Sequence, residues 1–176
     1  LKINPYQLMD DTFGGSGYDI ACAGSNAPIF YSRIPGESPI ITQAAFNPPF
    51  LDKIGVVWLN QKQTSASEVR RFIQSESNSG QLSGEITKIT HELAQTTCAD
   101  TFTSLMMQHE KLIAKATGLT PVQQKLFPDF EGAIKSLGAW GGDFVMCYSH
   151  RPFAEAKKWF QNKGYQTLFP IGEVMA

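Results

Sequence analysis

The chain has almost no net charge and lacks a long apolar run. Its 176 residues include 15 Lys and Arg against 16 Asp and Glu, which gives a formal net charge of −1. Because the basic residues are scattered, they form no electrostatic footprint for nucleic acid. No apolar run reaches the roughly 18 to 20 residues that span a bilayer. We therefore expect neither nucleic acid nor a membrane as a partner. The 42% hydrophobic content predicts a globular chain of one or two small domains.

Cysteine and histidine are also scarce. Cys22, Cys98 and Cys147 lie far apart, with no Cys-x-x-Cys pair and no histidine at ligand spacing. This pattern favours buried free thiols in a reducing compartment, and hence a cytoplasmic protein. It gives little support to a metal site, and we predict no metal-ligating residue.

The leading part of the chain combines a glycine-rich turn with short elements. Residues 17–24 predict a short helix, capped by Ser16 and closed by Gly24. Residues 27–33 predict a strand, because APIFYSR alternates as a strand does, and residues 39–45 predict a second one that ends before NPPF. We expect these strands to complete a sheet whose other strands are not in this chain.

The second part of the chain shows a self-sufficient pattern. The apolar run IGVVWLN, residues 54–60, has the length of a buried strand, and QKQTSASEV after it predicts the start of a helix. Apolar residues at helical spacing predict helices over 83–97 and 100–117, the second capped by Asp100 and ended by Gly118. We expect these two helices to pack antiparallel.

The last third of the chain leaves one assignment open. A helical stretch begins at Thr120, with a break near Pro128 as one alternative, and it either ends around Ser136 or gives way to a strand over 133–137. A strand DFVMCY, a helix from Pro152 and a strand YQTLF follow. One face of that helix is apolar: Phe153, Ala156 and Phe160. With a strand at 133–137, the order predicts an α+β fold with a split βαβ layout. Its antiparallel sheet would be covered on one face by helices.

Asp19 is the acid that the pattern singles out. It stands in TFGGSGYDIACAG, residues 12–24, where three glycines precede it and small or apolar residues follow it. A carboxylate is seldom buried without a partner, so this setting predicts a nearby group that interacts with its charge. Alternatively, Asp19 caps its own helix. The glycine runs themselves are also consistent with a flexible loop and a hairpin turn.

Three segments resemble motifs of the GHMP kinases, which phosphorylate small-molecule alcohols such as galactose, homoserine, mevalonate and phosphomevalonate with ATP. SGYDIACAG resembles the SG-x-D segment, where a small-residue helix carries the catalytic Asp. GVVWLNQKQTSASEV resembles the strand and helix that open the C-terminal domain. LGAWGGDFVMCY is similar to the glycine-rich third motif. The residues GYDIA resemble the corresponding motif of a mevalonate-kinase-like subgroup.

The resemblance implies a fold, an activity and site residues. Residues 1–48 would be the end of a ribosomal-protein-S5-like N-terminal domain, and residues 49–176 a ferredoxin-like C-terminal domain with extra helices. The activity would be phosphorylation of a mevalonate-like alcohol, with ATP and Mg as cofactors. Asp19 would be the catalytic base or orienting group, with the loop around Gly138 close to it. Residues near the substrate or its phosphate would be Gly15, Ser16, Gly17, Gly138, Gly141 and Gly142.

The resemblance covers only the rear half of such a kinase. The family's phosphate loop, P-x-x-x-G-L-G-S-S, occurs nowhere in the 176 residues, and the chain begins at Leu1 without a methionine. We therefore expect a fragment, a processed chain or a deliberately shortened one, inactive alone. Its partner would be the missing N-terminal half of the same kinase, and a homodimer stays open. Trp140 and Asp143 stand where the third motif usually has glycine.

Other interpretations stay open beside this one. A non-catalytic small-molecule sensor on the same scaffold is the alternative function, and a phosphate loop encoded upstream of Leu1 would favour the enzyme. Lys62 and Thr64 could face the substrate, or be a solvated charge and a helix cap. His109, on an apolar stripe, is expected to be a core residue rather than a ligand. Trp140 fits either a lid over a ligand or a plug in the core.

Overall fold

The computed structural model describes residues 4–12, 14–34, 37–61, 80–138 and 143–175. The helix predicted after residue 61 falls outside them. Two compact units make up the chain, Leu1–Phe46 with Met175–Ala176 and Asn47–Val174. None of the helices in the described ranges has both the length and the apolar character needed to cross a membrane.

In its described residues, the first unit contains two short helices and a hairpin. They are α1 (Pro5–Thr12), α2 (Tyr18–Ala23), β1 (Ile29–Ser32) and β2 (Ile40–Gln43). Asn4 caps α1, because its Oδ1 accepts a hydrogen bond from the Tyr6 amide at 3.0 Å, and Pro5 supplies the preset φ of a first helical residue. The two strands pair with each other, antiparallel.

The second unit contains the larger sheet and five helices among the described residues. Its elements are a 3₁₀ turn (Leu51–Lys53), β3 (Ile54–Trp58), α3 (Gly80–Gln95), α4 (Ala99–Thr117), α5 (Val122–Leu126), β4 (Gly132–Ser136), β5 (Phe144–Ser149), α6 (Phe153–Asn162), β6 (Leu168–Pro170) and α7 (Ile171–Val174).

The sheet of the second unit has the strand order β4-β5-β3-β6, and every pair is antiparallel. Val57 lies opposite Val145 on one side and Leu168 on the other. Since β5 lies between β3 and β4, the split βαβ layout is confirmed. The alternative of a helix continuing to Ser136 is wrong, because α5 ends two residues before Pro128, which disfavours helical backbone at the residue preceding it.

One face of this sheet packs against α5 and α6. Gly55 of β3 permits the approach, because a Cβ atom there would lie 2.1 Å from the Phe153 ring of α6. As predicted, the apolar face of α6 is buried. The buried cluster on this face consists of Val57, Leu59, Val122, Phe127, Phe130, Ile134, Val145, Cys147, Phe153, Ala156, Phe160 and Leu168.

The opposite face of the sheet is also covered. Ile54 and Tyr148 are directly paired, so their side chains share the face that Gly55 and Cys147 do not occupy. The Tyr148 ring lies 6.2 Å from the Phe102 ring of α4. The expectation that helices cover only one face is therefore wrong. The apolar stripe of α4, 19 residues long, is buried against this second face.

Of the two predicted ends of α4, the C-terminal one is confirmed and the N-terminal cap is wrong. Gly118 ends the helix with a left-handed φ of 69°, as expected. Its N-cap, however, is Cys98, and Asp100 lies inside the first turn, so the predicted Asp100 cap is wrong. The helix predicted over 83–97 is α3, Gly80–Gln95, which packs against α4.

The cysteine prediction holds for one residue of three. Cys147 is buried on the central strand β5, and burial raises the pKa of its thiol to about 12. Cys22 and Cys98 are exposed, so the expectation that they are buried is wrong. Both occupy peripheral positions, on the six-residue α2 and at the start of α4, where an apolar neighbourhood in the sequence does not produce burial.

Candidate functional site

The candidate site is built around the glycine turn between α1 and α2. Gly14, Gly15 and Gly17 have φ values of 70°, 129° and 74°, which residues with side chains rarely adopt. The Gly14 amide donates to the Met9 carbonyl at 2.8 Å and so closes the end of α1. The turn is therefore a defined structure with a hydrogen bond at its start, not an unstructured linker.

Asp19 follows this turn as the second residue of α2, and it is exposed. The premise that its charge is buried is therefore wrong. Gly17 is the N-cap, in a left-handed conformation and without a side-chain cap bond, so neither Ser16 nor Asp19 is the capping residue. Gly24 closes the helix, as predicted. The site thus presents a carboxylate that a ligand can reach and that accepts protons or hydrogen bonds.

Two tyrosines enclose the turn, and sequence reasoning missed both. A Cβ atom on Gly17 would lie 3.0 Å from the Tyr6 ring and 3.2 Å from the Tyr31 Oη. The Tyr31 hydroxyl donates to the Ser16 carbonyl at 2.6 Å. The signal that could have found Tyr31 is strand alternation, since Tyr31 and Arg33 fall on the same side of the predicted strand.

Arg33 extends this arrangement toward α1. Its guanidinium donates through Nη1 and Nη2 to the two carboxylate oxygens of Asp10, and its side chain is only 7% exposed. The same guanidinium lies 5.3 Å from the centre of the Tyr6 ring. The hydrogen bond to Asp10 raises the pKa of Arg33, so the guanidinium stays charged throughout the neutral range.

The second glycine-rich segment lies in the other unit. Leu137 N donates to the Phe144 carbonyl at 3.0 Å, which closes the base of the β4–β5 hairpin. Gly138 follows with a left-handed φ of 65°. Gly141, Gly142 and Trp140 lie outside the described residues. Because Gly138 and Asp19 belong to different units, the expected proximity of their loops stays a prediction.

A buried carboxylate next to this hairpin was not predicted. Glu110 of α4 is 6% exposed, and it accepts hydrogen bonds from Val122 N at 3.1 Å, Ser136 N at 3.0 Å and Ser136 Oγ at 2.8 Å. It therefore joins α4, the start of α5 and the end of β4. The available signal was its position on the apolar stripe of α4, four residues after Met106.

Two basic groups lie near this carboxylate. Lys135 is buried and donates to the Ser136 carbonyl at 2.9 Å; burial lowers its pKa, and Glu110 opposes that shift. His109 is half-buried, and its pKa is lowered to about 4, by burial first and by the charge of Lys135 second. The imidazole is therefore neutral at neutral pH. Lys62 and Thr64 lie outside the described residues.

No family model matches the chain, and no curated protein matches it. Two solved structures are similar. L. major mevalonate kinase in complex with R-mevalonate has a TM-score of 0.60 at 15% identity, over 84% of this chain and 48% of that one. A Lin0012 protein from Listeria innocua has a TM-score of 0.55 at 15% identity, over 77% of this chain and 43% of that one.

These likenesses show the fold. The second unit is a mixed α and β structure with an antiparallel sheet, similar to part of a mevalonate kinase, so the predicted α+β, ferredoxin-like class is confirmed. The chain spans less than half the length of either neighbour. That residues 1–48 are the end of an S5-like domain stays a prediction, as do the roles of the individual site residues.

Proposed function

We propose that this chain forms part of a GHMP-type kinase that transfers the terminal phosphoryl group of ATP to a small-molecule alcohol. One observation carries the proposal. The SGYD segment places an exposed carboxylate, Asp19, directly after a structured glycine turn, in a chain whose fold is similar to that of L. major mevalonate kinase. We propose a mevalonate-like alcohol, because that neighbour was crystallised with R-mevalonate.

In this proposal Asp19 accepts or orients the proton of the substrate hydroxyl. The hydroxyl oxygen forms the new bond to the terminal phosphorus, the bond from that phosphorus to the bridging oxygen breaks, and ADP leaves with the electron pair. Gly15, Ser16, Gly17 and Gly138 would lie near the reacting groups, together with Gly141 and Gly142. The remainder of the site would come from the N-terminal half of the same kinase.

Among the described residues, no group of three or more His, Cys, Asp or Glu could hold a metal ion. Mg²⁺ commonly binds through one or two carboxylates, substrate phosphates and water. We propose that Mg²⁺ arrives with ATP, and no step above passes through the ion.

A product assay tests the proposal. The full-length protein that contains this chain is incubated with Mg–ATP and, separately, R-mevalonate, phosphomevalonate, galactose or homoserine, and phosphorus NMR follows the products. We expect a new phosphate ester and an equal amount of ADP with one alcohol, mevalonate-like by preference. ADP formation that no alcohol stimulates would contradict the kinase, and saturable alcohol binding without any ester would indicate the sensor instead.

A further inference from the structure

We propose that Tyr31 is the positioning residue for Asp19, an inference that rests on the proposed kinase function. Tyr31 is on β1, twelve residues after Asp19, and its side chain returns to the turn that precedes α2. By fixing the peptide between Ser16 and Gly17, it would set the direction in which α2 begins, and hence where the Asp19 carboxylate points.

The Tyr31 hydroxyl donates to the Ser16 carbonyl, which is not an acceptor in the hydrogen bonds of α2. The first hydrogen bond of α2 runs from the Ala21 amide to the Gly17 carbonyl, at 3.3 Å. The Ser16 carbonyl lies one residue earlier, and the Tyr31 hydroxyl donates to it at 2.6 Å. This bond connects two segments separated by 15 residues, so it constrains the turn in a way that local geometry does not.

The packing around Gly17 adds a second constraint. Gly17 is buried between the ring of Tyr6 and the hydroxyl of Tyr31, and a Cβ atom added there would force these two neighbours to shift. Arg33 lies over the Tyr6 ring and is held by Asp10. α1 and β1 therefore hold the turn from two sides: the Gly14 amide donates to the Met9 carbonyl of α1, and the Tyr31 hydroxyl of β1 donates to the Ser16 carbonyl.

Burial keeps the Tyr31 phenol in the protonated form that donates. Burial is the largest cause that raises the pKa of its phenol, the positive charge of Arg33 opposes the shift, and the negative charge of Asp19 is among the further causes that raise it. The phenol therefore stays protonated across the range in which a kinase works.

The first test is a double-mutant cycle in the full-length protein. Tyr31→Phe removes one hydroxyl, and we expect turnover to fall about 3- to 10-fold with the KM for ATP unchanged, the size of one lost hydrogen bond. Asp19→Asn is expected to lower turnover about 100-fold or more. If Tyr31 acts through Asp19, adding Tyr31→Phe to Asp19→Asn causes no further loss. Multiplied losses would overturn the proposal.

The second test needs no activity. Nitrogen relaxation reports the backbone order parameters of Gly17, Tyr18 and Asp19, which we expect to fall from about 0.85 toward 0.6 in Tyr31→Phe. Tyr165→Phe, a matched loss of a phenol in the other unit, should leave them unchanged. Unchanged values in Tyr31→Phe would overturn the positioning role. Normal turnover in Asp19→Asn would instead overturn the proposed function, while the relaxation result still tests Tyr31.

Discussion

The edge strands of the two sheets differ in whether their outer backbone groups are hydrogen-bonded. The outer edge of β4, in the second unit, is closed by side chains. The Gln123 side chain accepts a hydrogen bond from Ile134 N at 2.9 Å and donates one to the Gly132 carbonyl at 3.1 Å. The Glu110 carboxylate accepts a hydrogen bond from Ser136 N. In the first unit no third strand pairs with the β1–β2 hairpin among the described residues, and all four residues of β2 are exposed.

This difference indicates which sheet is complete without a further strand. An edge strand whose backbone groups are occupied cannot recruit another strand, whereas an exposed, apolar edge invites one. Ile40 and Ile41 of β2 are 68% and 42% exposed. The contrast supports the expectation that the hairpin belongs to a larger sheet, which stays a prediction, and it motivates four measurements.

Hydrogen exchange should show the largest contrast. We expect amides in the centres of β3 and β5 to exchange about 1,000-fold more slowly than those of β1 and β2. A hairpin of two four-residue strands is only marginally stable alone, whereas a buried central strand opens only when its whole unit unfolds. Exchange mass spectrometry on the 176-residue chain measures both. Equal protection of the two sheets would show that the hairpin is stable without a further strand.

Removing the Glu110 carboxylate should strongly destabilise the second unit. Glu110→Ala leaves the Val122 amide and both Ser136 donors without their acceptor, and we expect the free energy of unfolding to fall by about 3 to 4 kcal/mol. Glu92→Ala is the control, since its pairing with Lys88 is exposed and contributes little. Urea denaturation compares them, and similar losses would mean that the edge is held by other contacts.

Acid should weaken the second unit through His109. Its folded pKa, about 4, is below the ordinary 6.5, so the unfolded chain binds the proton first and stability is lost as pH falls from 6.5 to 4. The loss is at most about 3 kcal/mol. His109→Gln should flatten the pH dependence of unfolding over that window, while the exposed His91→Gln should not. Identical slopes in both variants would refute the assignment.

Thiol labelling gives the smallest contrast, between one exposed cysteine in each unit. Hydrogen bonding to the Thr101 hydroxyl, the largest cause, lowers the pKa of Cys98, so we expect it to react about 2- to 5-fold faster than Cys22 at neutral pH. Buried Cys147 should react only after unfolding. Labelling of Cys22→Ser and Cys98→Ser variants with an aromatic disulfide assigns the rates, and fast native labelling of Cys147 would contradict its burial.

Local patterns predicted most of the second unit. The apolar run of β3, the stripe of α4 ended by Gly118 and the buried face of α6 each arise from residues close together in sequence. The coverage of both sheet faces could not be derived this way, because periodicity identifies an apolar stripe without indicating which surface buries it.

The candidate site was less predictable for the same reason. The glycine pattern located the turn and Asp19, but burial was inferred from small neighbours, and the short α2 leaves Asp19 exposed. Tyr31 reaches the turn from another element, and Glu110 binds donors 12 and 26 residues away. Contacts of that kind depend on tertiary placement, which single-sequence reasoning does not supply.

The central claim is that Asp19 accepts or orients the hydroxyl proton of an alcohol substrate during phosphoryl transfer. The most direct test compares turnover in the full-length protein for Asp19→Asn and for Asp11→Asn, the latter an exposed acid on α1 of the same unit. The account predicts a loss of about 100-fold or more for Asp19→Asn, with normal folding and nucleotide affinity, and no loss for Asp11→Asn. Near-normal turnover in Asp19→Asn, or equal losses in the two variants, would contradict it.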